Sequence, residues 1–149
     1  MALPPIGAGT FVLTNCPFGP PNRPDVPGPV PHIAYCLGFR ADVVPIQLML
    51  AHTNSGMSRR GTRQLPHGVI EFDETAARVL NQSPFHLDLR CLARVPLSRD
   101  WLPRLTDARH RHGIVAWAGP DLPRRINQPM IGIAKPSPDN IEIRGVPDR

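Results

Sequence analysis

Proline placement limits this chain more than any other feature. Twenty of its 149 residues are proline and twelve are glycine. They lie inside or beside nearly every apolar segment. Proline removes a backbone donor and breaks a helix interior, so the pattern argues against long helices and predicts short strands joined by loops. The combined share, roughly a fifth, stays below the about 25–30% that marks low-complexity chains. One domain of ordinary core size is therefore expected, with possible tails.

The most informative apolar run is VVPIQLMLAHTNS, Val43 to Ser55. It is shorter than the about 20 residues of a membrane span, and Pro45 makes it a poor helix. It reads as a buried strand that is apolar on both faces, hence central in a sheet, and it ends in the polar cluster His52-Thr53-Asn54-Ser55. His32–Phe39 reads as the strand before it, joined through Arg40-Ala41-Asp42 as a hairpin. Thr10–Cys16, Val69–Phe72 and His112–Trp117 are further strand candidates.

Phe85–Val95 alternates, with Phe85, Leu87, Leu89 and Cys91 on one face and His86, Asp88, Arg90 and Leu92 on the other. Asp73 reads as the N-cap of a short helix that Asn81 stops. A second helical segment follows Ser98 or Asp100 and runs to about Arg109. Two long loops, 19–31 and 56–68, interrupt the strands. These elements predict a mainly β protein, a small barrel or two packed sheets with five to seven short strands and two short helices. The domain limits read as a flexible lead over 1–9, a barrel over 10–118 and a Pro-rich tail over 119–149.

The formal charge is +5 and the sequence pI about 10.1, carried by sixteen arginines and one lysine, Lys135. A basic, arginine-rich surface fits a nucleic-acid partner, and a codon-driven Arg-for-Lys bias explains the ratio equally well. Cys16, Cys36 and Cys91 show no metal-ligand spacing and read as buried free thiols. With no secretory leader in MALPPIGAGT, they predict a cytoplasmic location. The six histidines likewise show no ligand spacing, and no phosphate-binding glycine loop or nucleophile elbow occurs. No metal and no cofactor is expected.

Three groups could carry chemistry. His86 and Asp88 share a strand face, where an imidazole and a carboxylate could serve as acid and base in phosphodiester cleavage; a polar outer strand face would look the same. The Thr53 hydroxyl, with Ser55, could sit beside a phosphate or simply make a turn. Arg59, Arg60 and Arg63 crowd the second long loop, as a phosphate-binding set or as a solvated surface.

These stretches, in this order, resemble the PemK/MazF-like toxin family. GTFVLTNCPFG, PHIAYCLGF and VVPIQLMLAHTNS are similar to the family's first three strands, and SPFHLDLRCLARVP to a later one carrying a basic residue two positions before an aspartate. The resemblance spans roughly Gly9 to Trp117. It implies an SH3-like barrel and a homodimer that cleaves single-stranded RNA without a metal, held in check by a small acidic antitoxin. By the same resemblance Thr53, Asp88 and His86 would be catalytic, and Arg23, His32, Ser55, Arg59, Arg60 and Arg63 would hold RNA. The family's arginine before the second-strand proline is Val30 here, which gives a second expectation: a catalytically degenerate barrel that binds nucleic acid or protein.

Overall fold

A computed structural model describes residues 5–18, 25–55, 65–134 and 141–147. The elements run β1 (Thr10–Thr14), β2 (His32–Arg40), β3 (Gln47–Asn54), β4 (Val69–Phe72), α1 (Glu74–Val79) and β5 (Phe85–Pro96). After them come a 3-10 stretch (Ala108–Gly113), β6 (Ile114–Trp117), α2 (Asp121–Ala134) and β7 (Glu142–Gly145). The strands form one sheet in the order β4-β5-β3-β2-β1-β6, with β7 added in parallel to β5. The other pairings are antiparallel.

The protein is mainly β, as expected, but the sheet does not close into a barrel. Its hydrogen-bonded path ends at β4 and at β6. The reason lies in the alternation along the strands. Phe11, Tyr35, Ala51 and Leu87 face one core, and Val12, Ala34, Leu50 and Ala93 face a second. A sheet apolar on both sides needs cover on both sides, which an enclosed barrel interior does not supply. Leu122, Ile126 and Ile133 of α2 cover the first face, while Cys16, Phe18, Trp101 and Leu102 cover the second.

β3 is central, between β5 and β2, as its two apolar faces predict. It begins at Gln47 rather than Val43, and Val44 is 89% exposed. Pro45 has no N–H to give a ladder, so pairing starts after it. At the other end Thr53 and Asn54 are not in a turn: they pair with Leu87 and His86 of β5.

The face assignment along β5 fails at one place. The register against β3 shifts between Ala51, opposite Leu92, and His52, opposite Asp88. Residues 89–91 bulge out between these pairs, and the bulge resets the alternation. Leu92 therefore packs in the core of Leu87 and Leu89, where plain alternation puts it with Asp88. Cys91 lines a pocket with Asp88 instead of following Leu89.

α1 follows its sequence signals. The Asp73 carboxylate accepts from the Ala76 N–H at 2.9 Å, and Asn81 at φ 58 ends the helix. The segment after Ser98 forms turns and then the 3-10 stretch, not a helix up to Arg109.

The stretch read as a Pro-rich tail holds α2 and β7. Pro123 is tolerated in the first helical turn, where backbone donors lack partners in any case. Pro129 removes an interior bond, and the burial of Leu122, Ile126 and Ile133 offsets that loss at about 1.5–3 kcal/mol per side chain. β7 ends at Gly145, φ 88, where a Cβ would overlap the Arg94 carbonyl. Gly145→Ala should cost about 1–3 kcal/mol and speed amide exchange in β7 selectively. Unchanged exchange there would show that the strand tolerates a side chain at its end.

Candidate functional site

An open groove of about 490 Å3 lies where β2, β3 and the start of β5 meet the α1–β5 turn. Its floor is apolar, from Phe11, Ile33 and Phe85, and its rim is polar, from His32, Thr53 and Ser55 on one side and Gln82 and Ser83 on the other. Phe85 is fixed by stacking on Phe72 at 4.6 Å and by an edge contact to Phe11 at 5.7 Å. Three residues picked out by sequence, His32 of β2, Thr53 of β3 and Ser55 just after it, thus come together. His32 is the only titratable side chain lining the groove among the described residues.

Thr53 already has a structural duty. The last β2–β3 backbone pair is Ala34 with His52, and the Thr53 hydroxyl extends the contact by donating to the Ile33 carbonyl at 2.6 Å. While that bond stands, the hydroxyl offers a ligand its lone pairs and not its proton.

Asp88 is elsewhere. It lies opposite His52, whereas Thr53 lies opposite Leu87; adjacent strand positions face opposite sides, so Thr53 and Asp88 do not share a site. Asp88 lines a second pocket of about 280 Å3, with His52, Asn54, Cys91 and Arg144. Arg90 grips its carboxylate with Nε to Oδ1 at 2.9 Å, Nη2 to Oδ2 at 2.9 Å, and its own backbone N–H to Oδ1 at 3.0 Å. Burial raises the Asp88 carboxyl pKa, but these bonds and the guanidinium charge outweigh burial and leave it below the usual range. Burial lowers the pKa of His52, whose ring lies tilted against Phe18 with centroids 4.5 Å apart, although the Asp88 charge pulls the other way.

His86 is 2% exposed, and its Nδ1 finds no hydrogen-bond partner among the described residues. Nδ1 of His86 therefore makes no hydrogen bond to Asp88, whose carboxylate is held by Arg90. Cys16 and Cys36 are buried thiols pushed up to about 12 by desolvation, whereas Cys91 is half-buried. Arg23, Arg59, Arg60 and Arg63 lie outside the described residues. Val30, which the resemblance sets where that family has an arginine, is 56% exposed.

Sequence reasoning missed Gln82 and Ser83, because a turn after a helix stop carries no motif. It also missed the role of Arg90, although alternation already placed that residue on the face of Asp88.

Among the described residues, no helix is long and apolar enough to cross a membrane. No family model, curated protein or solved structure matches this chain.

Proposed function

We propose that this protein binds single-stranded RNA in the groove beside Thr53, as a divergent PemK/MazF-like protein that works without the family's acid–base pair. The observation that carries the reading is the convergence of His32, Thr53 and Ser55 on one groove. A net charge of +5 supports an anionic partner, and a polar rim over an apolar floor suits an unstacked nucleotide. Arg59, Arg60 and Arg63 follow Ser55 closely in sequence, and Arg23 precedes His32. On this reading the open sheet is a departure from the SH3-like barrel, and a second copy and a small acidic antitoxin remain proposed partners.

The test is fluorescence anisotropy with a labelled, unstructured RNA. Binding should weaken about tenfold or more over a fourfold rise in salt, as three phosphate contacts require for a single strand. An RNA that stays free at low salt, or binding indifferent to salt, would sink the proposal.

Cleavage is the second reading, favoured by one observation: a titratable imidazole, His32, lines the same groove as Thr53. In that case His32 takes the 2'-OH proton, as a toxin-like endoribonuclease would require. RNA should then be cut in EDTA, and His32→Ala should stop it while Asp88→Asn does not.

A further inference from the structure

The groove has two walls, and only one was foreseen from sequence. The other is the α1–β5 turn, where Asn81 at φ 58 swings the chain so that Gln82 and Ser83 line the groove with Thr53 and Ser55. The Gln82 backbone N–H is spent on the Ala77 carbonyl at 3.0 Å, which holds the turn against the helix. The side chains of Gln82 and Ser83 make no hydrogen bond among the described residues. An uncommitted amide on a turn held by its backbone, in the groove lined by Phe11, Ile33 and Phe85, offers a donor and an acceptor side by side. The groove volume, about 490 Å3, falls in the range of about 300–1,000 Å3 usual for small-molecule sites.

We infer that Gln82 reads one unpaired base in this groove, an adenine met at its N6/N7 edge. This deepens the RNA-binding reading and rests on it. At the N6/N7 edge of adenine a side-chain amide makes both halves of a bidentate pair, accepting from N6 and donating to N7, and neither pyrimidine has an equivalent of that edge. The apolar floor receives the base face, and His32 and Thr53 lie on the side where the sugar and phosphate leave the groove. Sequence preference then comes from the turn, and general affinity comes from charge.

Labelled oligoadenylate, oligocytidylate and oligouridylate of equal length are titrated into wild-type protein and two variants. Wild type should prefer oligoadenylate by at least fivefold, the scale of one bidentate pair. Gln82→Ala should bind all three at about the level wild type shows for the weaker two. Gln82→Glu keeps the shape, loses the donor and adds a negative charge, and should weaken oligoadenylate most. Equal wild-type binding to all three, preference for another base, or an adenine preference that survives Gln82→Ala would each overturn the inference and leave RNA binding intact. If wild type binds none of them, both readings fall.

Discussion

Replacing Phe85 with alanine should remove about 3–5 kcal/mol of stability, a large part of the about 5–15 kcal/mol that holds a domain folded. Phe85 is 7% exposed, lies nearly parallel to Phe72 at 4.6 Å and meets Phe11 edge-on at 5.7 Å. It joins β5 to β4 and β1 through the rings that form the first core. Deletion leaves a cavity that Phe72 and Phe11 cannot close without losing their own contacts. The same ring is part of the groove floor, so on the RNA-binding proposal the surviving folded fraction should also bind RNA more weakly. Phe85→Leu keeps much of the volume and should lose markedly less stability. Urea unfolding checks both; a loss under about 1 kcal/mol for the alanine variant would mean the ring cluster does not carry the core.

The elements legible in sequence are those whose signal is local. Asp73 caps α1 because its short carboxylate meets a helix start, and the both-sided apolar run places β3 in the centre. The hairpin of β2 and β3 follows from the polar residues between two apolar segments. What escaped was set by pairing at a distance. Alternation along β5 holds only while one residue faces one partner, and nothing in FHLDLRCLARV marks the point where residues 89–91 bulge. The open sheet was hidden for a similar reason, since a second apolar face running across β1, β2, β3 and β5 shows only once the strands are paired in register. α2 was obscured by its own prolines, because its burial of Leu122, Ile126 and Ile133 is a tertiary matter.

For the site, three of the residues picked out from sequence, His32, Thr53 and Ser55, line one groove. The family resemblance put Thr53 and Asp88 in one catalytic set. The β3–β5 register separates them by a single position, and one position is enough to put them on opposite faces.

Arg90→Ala should destabilise the protein more than Asp88→Ala, and the asymmetry tests whether Asp88 is a structural or a chemical group. The Asp88 side chain is 10% exposed and that of Arg90 36%. Removing Arg90 strands a buried carboxylate. Breaking a buried pair costs about 3–5 kcal/mol, and about 2–4 is expected here because the Arg90 end is partly hydrated. Removing Asp88 instead frees a guanidinium that can turn toward water, at about 1–2 kcal/mol.

The pH dependence should differ between the proteins. In wild type the folded-state carboxyl pKa of Asp88 lies below its ordinary 3.8. Its contribution is therefore complete above that pH and is lost as pH falls through the folded value. Without the Arg90 side chain, burial is the largest single effect left, set against the retained backbone N–H and the His52 charge, and the carboxyl rises from its wild-type value. The folded state then loses less on protonation, so the variant should gain stability relative to wild type as pH falls toward 4. Urea midpoints across mildly acidic pH give the two slopes. Parallel slopes would show that the Asp88–Arg90 pair does not govern this carboxylate, and would reopen the case for Asp88 as the acid–base group that its sequence position suggests.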